Sequence, residues 1–251
     1  MIRLQLIRHA TLVVDMGEKR ILVDPFLAAK NTYDPIVWTS NGLRNPMVDL
    51  PLTDKELEQL LSTVDMVLVT HTHNDHWDVT AREMISKEMP ILGQPEDEQQ
   101  FRNQGFSSVA PVYVKYGLGQ LSFTRTGGQH GTGDIAIKMA PVSGFMINDG
   151  QHTLYIAGDT VWCKEVEDAL RVYKPDFIVL NAGAAQFDMG DPITMTADDV
   201  LTVAKHSDAA KIVCVHLDTV NHCHQKRPEL RAATAHDPRI MVPDDGDIIY
   251  L

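Results

Sequence analysis

Apolar and polar positions alternate in short runs along the whole chain, and these runs predict β-strands. The runs are rich in Val, Ile, Leu and Phe and are bounded by turn residues, as is typical of short strands. We expect strands within residues 4–16, 19–26, 64–71, 89–94, 108–114, 119–128, 135–149, 152–160, 175–183 and 210–218.

Segments with helical periodicity lie between several of these predicted strands. The segment TDKELEQLLST (53–63) predicts a helix that begins after Thr53, since Glu56 completes a capping box and three leucines share one face. Further helices are expected within residues 78–87, 95–105, 164–174, 196–207 and 227–237. Strands and helices that mix without strict alternation predict an α/β fold of two sheets with helices on the outer faces.

A weak internal repeat is visible in the strand pattern. Residues 11–26 and 145–160 both read as strand, polar turn, strand and aspartate, which places Asp24 and Asp159 at equivalent strand ends. Two similar halves stacked sheet on sheet would explain the repeat, and chance similarity is the alternative because the repeat is short. No low-complexity segment or linker separates the halves, so we expect residues 1–251 to form a single domain.

Residues 26–52 differ from the rest of the chain. They contain few periodic apolar positions and three prolines. A long segment of this kind inside a compact domain is often a lid or a binding loop, and a packed surface excursion is the alternative. We interpret residues 26–52 as a lid segment.

Composition narrows the class of protein. With 44% hydrophobic and 22% charged residues the chain is an ordinary globular protein, and no apolar run is long enough to predict a membrane span. A net charge of −12 without Lys/Arg runs argues against a nucleic-acid partner, although bound metal would still allow an anionic small-molecule substrate. Three scattered cysteines and no signal peptide predict a cytoplasmic protein without disulfides, and a homo-oligomer is allowed.

Metal-ligating residue types concentrate in VLVTHTHNDHWD (67–78). A strand that is buried by composition delivers His71, His73, Asp75 and His76 at its carboxyl end. The first two histidines point to the same face, because side chains alternate along a strand. Imidazole and carboxylate groups are typical ligands of zinc, iron and manganese. Four such groups in six positions predict a metal site rather than a solvated turn.

The motif HTHNDH (71–76) resembles that of the metallo-β-lactamase superfamily, and three single residues further along the chain resemble the family's remaining ligands. They are His130 in GGQHGTG, Asp159 in LYIAGDT and His216 in IVCVHLD, each after a predicted strand and in the family's order. The resemblance covers nearly the whole chain. It implies a four-layer αββα sandwich of two mixed sheets, with a metal site at one edge between them.

The resemblance also implies a role for each residue at a binuclear centre. His71, His73 and His130 would hold the first ion, Asp75, His76 and His216 would hold the second, and Asp159 would bridge both. Two divalent ions roughly 3.5–4 Å apart lower the pKa of water, so that a nucleophile exists near neutral pH. The expected metal is Zn²⁺, with Mn²⁺ and iron as alternatives, and Asp75 is the expected catalytic residue that orients the water and moves its proton.

Within the superfamily, the start of the chain and the AGDT turn resemble the ascorbate-6-phosphate lactonase-like group. This implies a metal-dependent hydrolase that acts on a small lactone, ester or phosphoester. The chain ends soon after His216, which leaves no room for the extra domain of the RNA-cleaving branch. The secreted β-lactamases match less well because no export signal is present. His73 stands where the flavodiiron oxidoreductases carry Glu.

Two residues outside the motif are further candidates. His222 follows the last ligand closely and could reach the mouth of the site as a catalytic proton donor or oxyanion contact. A surface histidine at the start of the last helix is the equal alternative. Asp24 is expected to orient a ligand histidine through a hydrogen bond.

Two other functions stay open from the sequence. An iron-dependent redox enzyme or oxygenase of the same fold would use similar ligands, but would lose activity when zinc replaces iron. A metal-binding protein without turnover would keep the ligands and hydrolyse nothing. The presence of Asp75 argues mildly against the second alternative.

Overall fold

Two mixed β-sheets form the centre of the molecule, in a computed structural model that describes residues 2–39 and 41–251. Within these ranges each sheet has seven strands. The first sheet contains β1 (Arg3–Arg8), β2 (Thr11–Met16), β3 (Lys19–Val23), β4 (Met66–Val69), β5 (Ile91–Gly93), β6 (Val109–Pro111) and β14 (Ile248–Tyr250). The second contains β7 (Lys115–Leu118), β8 (Leu121–Thr126), β9 (Gly144–Asn148), β10 (Thr153–Ile156), β11 (Phe177–Asn181), β12 (Lys211–Val215) and β13 (Ile240–Met241).

The two sheets repeat one arrangement. The first runs β14-β1-β2-β3-β4-β5-β6 and the second β13-β12-β11-β10-β9-β8-β7. In the first sheet the hairpin β2–β3 is antiparallel and β3 to β6 run parallel. In the second sheet the hairpin β9–β10 is antiparallel and β10 to β13 run parallel. The short sequence repeat therefore corresponds to two equivalent hairpins, which end at Asp24 and Asp159.

The main hydrophobic core lies between the sheets. Alternate residues of each strand point inward, so Leu12 and Val14 of β2 face the same core as Phe145 and Ile147 of β9. A second hydrophobic cluster lies between the outer face of the second sheet and its helices. A third cluster lies between the outer face of the first sheet and its helices. The predicted αββα layering of two mixed sheets is confirmed.

Seven α-helices in the described ranges cover the outer faces or connect strands. They are α1 (Asp54–Ser62), α2 (Val79–Met84), α3 (Glu98–Asn103), α4 (Gly133–Met139), α5 (Lys164–Tyr173), α6 (Ala197–His206) and α7 (Arg227–Thr234). The predicted capping box of α1 is confirmed, since Thr53 and Glu56 exchange hydrogen bonds. Among the described residues, no helix has the length and apolar character to cross a membrane.

Two of the expected strands were wrong in their extent. Residues 4–16 form two strands rather than one, because the chain turns at His9, whose φ is +61°. Residues 135–139 belong to α4 rather than to a strand, and the strand starts only at Gly144. The alternating sequence IAIKM fits either structure, and contacts with distant residues select the helix here.

Residues 26–52 pack against the site edge, and Asn221 forms several of the hydrogen bonds that hold the middle of this segment. The side-chain oxygen of Asn221 accepts hydrogen bonds from the Ile36 amide (3.0 Å) and from Asn45 Nδ2 (2.8 Å). Its side-chain nitrogen donates to Thr39 Oγ1 (2.7 Å) and to the Asn41 carbonyl (2.9 Å). This segment is therefore fastened at its middle, and its action as a lid stays a prediction.

We predict that Asn221→Ala destabilises the protein by roughly 2–4 kcal/mol, because one buried and several half-buried partners lose their hydrogen bonds together. Urea unfolding measures the loss, and amide hydrogen exchange should rise in residues 36–45. The exposed Asn103, which accepts one side-chain hydrogen bond from Gln99, provides the control Asn103→Ala. Equal stability and exchange in the two variants would show that Asn221 does not hold the segment.

Candidate metal centre

The ends of the central strands meet at one edge of the sandwich and carry the predicted ligands. His71, His73, Asp75 and His76 follow β4, as the sequence motif requires. His130 follows β8, Asp159 follows β10 and His216 follows β12. The structure thus brings all seven predicted ligand residues to one place.

A glycine allows the turn that presents Asp159. Gly158 has φ +68°, and a Cβ atom there would lie 2.6 Å from the carbonyl oxygen of Ser143. Within AGDT, Gly158 therefore permits the backbone conformation of the turn, and Asp159 supplies the carboxylate.

Three histidines form the first group. Nε2 of His71 lies 2.9 Å from Nδ1 of His73. Their nitrogens and one of His130 all lie within 4.8 Å of one another, close enough to share one ion. This is the set predicted for the first metal.

The second group contains the three residues predicted for the other metal and one that was not predicted. Nε2 of His216 lies 3.6 Å from Oδ2 of Asp75, and Nε2 of His76 lies 3.9 Å from it. Nε2 of His9 is closer still, at 3.1 Å. Ligand atoms of all four residues lie within 4.8 Å of one another.

Asp159 lies between the two groups. Its Oδ2 is 3.3 Å from Nε2 of His76 and 3.4 Å from Nε2 of His130, and its Oδ1 is 3.5 Å from Nε2 of His216. Asn181, at the end of β11, donates a hydrogen bond to the same Oδ1 at 2.6 Å. A carboxylate that contacts members of both groups has the position that a bridging ligand needs.

The histidine rings are oriented so that a lone pair faces the centre. Nδ1 of His130 donates to the carbonyl oxygen of Ile193 at 2.8 Å, which leaves its Nε2 unprotonated in the neutral ring. Nε2 of both His76 and His216 is buried without a hydrogen-bond partner among the described residues. Buried polar atoms without partners are rare, and a metal ion would satisfy them. The residues present therefore fit bound metal.

Asp24 holds two of these rings in place. Its Oδ2 accepts from Nδ1 of His76 at 2.9 Å and from Thr70 Oγ1 at 2.7 Å. The same Thr70 oxygen lies 3.0 Å from Nδ1 of His71. One buried carboxylate thus orients a histidine from each group, directly or through a hydroxyl.

Burial and neighbouring charges shift pKa values throughout the centre. Burial works to raise the pKa of Asp159, but His216 and His76 outweigh it and hold that pKa well below its usual value. Burial works to lower the pKa of His76, but Asp159 and Asp75 outweigh it and raise that pKa to about 10. Without metal, protons on histidines neutralise the carboxylates. Divalent ions would supply the same positive charge. Because protons bind to the same histidine nitrogens, a low pH would weaken metal binding.

A mostly apolar pocket of about 260 Å³ opens above the centre. His73, Asp75, His130 and Asp159 reach it from the ligand cluster. Its other walls are mostly apolar and include Phe26, Tyr33, Ile36, Met139, Phe187 and Val220, while Asp34, Asn45 and Asn74 add polar groups. Among the described residues that line it there is no lysine or arginine. Residues of the predicted lid segment thus form one side of the pocket.

His222 also lines this pocket, as the sequence suggested. It is 5% exposed and its Nδ1 has no hydrogen-bond partner among the described residues. Burial lowers its pKa to about 4, so its ring is neutral at physiological pH. A neutral imidazole can hold a substrate oxygen by a hydrogen bond, but it is a poor proton donor.

Sequence reasoning missed His9 and Asn181. His9 is fully buried, and its ring lies 3.6 Å from that of His216 between centroids. The available signal was its place within a 13-residue stretch of strand-like pattern, which is longer than an ordinary strand. Asn181 ends an apolar strand and gave no comparable signal.

Comparison with known proteins identifies relatives along nearly the whole chain. The family model described as "Beta-lactamase superfamily domain" matches residues 19–217. The "UPF0173 protein YddR" of Bacillus subtilis is 35% identical over 249 residues, which cover 96% of each chain.

Two solved structures are similar over their full length. A "possible metal-dependent hydrolase" from Veillonella parvula is 37% identical with a TM-score of 0.95, and covers 100% of each chain. An isothiocyanate hydrolase from Delia radicum gut bacteria is 36% identical with a TM-score of 0.93, and covers 99% of each chain. These similarities extend well beyond the ligand motif.

We predict that the protein purified without chelator contains about two equivalents of divalent metal per chain. His73→Ala should reduce this to about one or less, because the first group loses a ligand. Elemental analysis measures the content, and His206→Ala, on an exposed helix end, is the control. Metal-free protein that is fully folded would contradict the assignment.

We also predict that the contact between His9 and Asp75 strengthens metal binding at the second group. His9→Asn tolerates the positive φ but shortens the side chain, and should weaken affinity by roughly 10- to 100-fold. His9→Gln keeps a long side-chain donor and should recover most of the affinity. Titration with a competing chelator measures both. Equal affinity in His9→Asn and the unmodified protein would remove this role.

Proposed function

We propose that this chain, which belongs to the metallo-β-lactamase superfamily and is a metal-dependent hydrolase, acts with two ions on small uncharged carbon electrophiles. The observation that carries the proposal is the convergence of seven ligand-type side chains at one edge of the sandwich, four of which line a pocket whose other walls are mainly apolar. The same convergence favours hydrolysis over storage of metal, because the centre opens to a cavity in which a substrate fits.

The ligands would divide as the sequence motif implies, with Asp159 shared between the two groups. Bound divalent ions would lower the pKa of water and polarise the electrophile. Asp75 lies at the edge of the pocket, with its side chain 16% exposed, and faces the space in which water and substrate meet. Its carboxylate accepts a proton from the attacking water and returns it to the leaving atom.

The lining of the pocket supports uncharged substrates over phosphoesters. No described lysine or arginine lines it, whereas phosphate-binding sites usually add cationic side chains or a helix N-terminus. Aromatic and aliphatic walls favour a carbon electrophile with an apolar substituent. Of the classes expected from the sequence, lactones and esters therefore fit better than phosphoesters.

The isothiocyanate hydrolase of similar structure adds a third class of carbon electrophile. In such a reaction the oxygen of water bonds to the central carbon of R–N=C=S, and a proton moves to the nitrogen. The resulting thiocarbamic acid loses carbonyl sulfide and leaves the amine R–NH₂, so that one water is consumed per substrate. Asp75 would carry the proton from water to nitrogen, and His222 would hold the sulfur or oxygen by a hydrogen bond.

We predict that the zinc-loaded protein hydrolyses alkyl isothiocyanates, simple lactones or aryl esters at least about 100-fold faster than phosphodiesters, as judged by kcat/KM. The physical reason is that the pocket offers apolar contacts and lacks cationic side chains of its own. Release of amine, acid or phenol measures each reaction.

The variant Asp75→Asn tests whether Asp75 accepts the proton, since it keeps the volume of the side chain while it removes the proton acceptor. We expect it to reduce kcat by roughly 10²- to 10⁴-fold with the fold intact. A preference for phosphodiesters would overturn the proposed substrate class. Activity that requires iron and disappears with zinc would favour the redox alternative.

A further inference from the structure

A wide apolar groove lies beside the metal pocket and shares two walls with it. The groove has a volume of about 770 Å³, and Met139 and Phe187 line both cavities. Ile193 is fully buried beneath it, and the carbonyl oxygen of Ile193 accepts the hydrogen bond from Nδ1 of His130. The groove and the metal pocket therefore adjoin each other at Met139 and Phe187.

The rim of the groove exposes large apolar side chains to solvent. Met189 is 89% exposed and Trp38 is 77% exposed. Trp38 also has a φ of +58°, a conformation that is unfavourable for a bulky residue, and its carbonyl oxygen accepts a hydrogen bond from the Asp188 amide. Apolar side chains held at the surface beside a pocket are typical of a ligand-binding groove. A strained backbone held in place by its neighbours is also typical of such sites.

We propose that this groove binds an extended apolar arm of the substrate, while the reacting group lies in the metal pocket. This inference rests on the proposed function and specifies its substrate class. The metal pocket alone is smaller than the 300–1,000 Å³ typical of ligand sites, so a larger substrate needs the adjoining space. An alkyl or aryl chain that passes Met139 and Phe187 would enter the groove directly.

The charges around the groove agree with a neutral arm. Lys138 carries a positive charge, whereas Asp188 and Asp191 carry negative charges, so the small net negative charge disfavours an anionic arm. The apolar walls lie between these groups and come from α4, residues 187–193 and Trp38. The shared walls also favour a substrate arm over a protein partner, because the groove adjoins the metal pocket at Met139 and Phe187.

The first experiment measures kcat/KM of the zinc-loaded protein for methyl, butyl, hexyl and octyl isothiocyanates. We expect kcat/KM to rise by roughly two- to four-fold per methylene once the chain passes Phe187, as burial of each methylene predicts. Met189→Ser and Ile135→Ser should each lower the hexyl-to-methyl ratio of kcat/KM by roughly three- to ten-fold. If all four isothiocyanates are hydrolysed with equal kcat/KM, the proposal that the groove binds the substrate arm is wrong.

Ile137→Ser is the matched control. Ile137 lies on α4 with Ile135 and Met139 and is 77% exposed, but it does not line the groove. This variant should keep the hexyl-to-methyl ratio within about two-fold of the unmodified protein. A loss equal to that of Met189→Ser would mean that general surface polarity, and not the groove, sets chain-length preference.

A second experiment tests the groove without hydrolysis. Calorimetry should detect binding of octan-1-ol to the zinc-loaded protein, much weaker binding of butan-1-ol, and loss of the octanol signal in Met189→Ser. If no electrophile is hydrolysed but octanol binds in this way, the proposed function fails and the apolar site stands. If octanol does not bind, the groove proposal is wrong. Sedimentation that shows a dimer, lost in Met189→Ser, would assign the groove to a second copy and also overturn it.

Discussion

Burial of the Asp159 carboxylate is the constraint on which the rest of the site depends. At 3% exposure this group is unfavourable unless positive charge and hydrogen-bond donors surround it. Asn181 donates to one oxygen, and imidazoles converge on both. These groups follow different strands of both sheets, so the carboxylate is compensated only when the sandwich is complete. Bound metal fits here because it adds positive charge where the fold has gathered ligand-type side chains and left ring nitrogens without partners among the described residues.

The same edge of the sandwich also holds unfavourable backbone conformations. His9, Asp24 and His216 have φ values of +61°, +43° and +66°, although none is a glycine. Each such residue costs on the order of 1–3 kcal/mol and persists only when the surrounding structure determines it. The amide of His216 donates to the carbonyl oxygen of His9, so two of these residues fix each other across the sheets. The packing of the surrounding strands thus offsets the cost of these backbone conformations and keeps the ligand-type side chains in place.

The part of the site that sequence could predict is the part encoded locally. Residues 71–76 carry four ligand types directly after one apolar strand, and each later ligand stands in a recognisable turn. His9 was missed because the alternation of residues 4–16 continues through it, and only the pairing of β1 with β2 reveals a turn. α4 was missed for a related reason, since IAIKM alternates like a strand. The groove lay beyond sequence reasoning altogether, because Trp38, Ile135 and Met189 meet only in the folded chain.

The two similar halves of the fold place their equivalent aspartates in different roles. Asp24 and Asp159 end equivalent hairpins, yet one carboxylate lies behind the histidines and the other lies among them. Asp24 receives hydrogen bonds from His76 and Thr70 and so keeps ligand nitrogens turned toward the centre. Asp159 instead lies among the imidazoles, which together with Asn181 compensate its charge. One repeated structural unit with two equivalent strand ends therefore places one carboxylate among the histidines and another behind them, where it orients their rings.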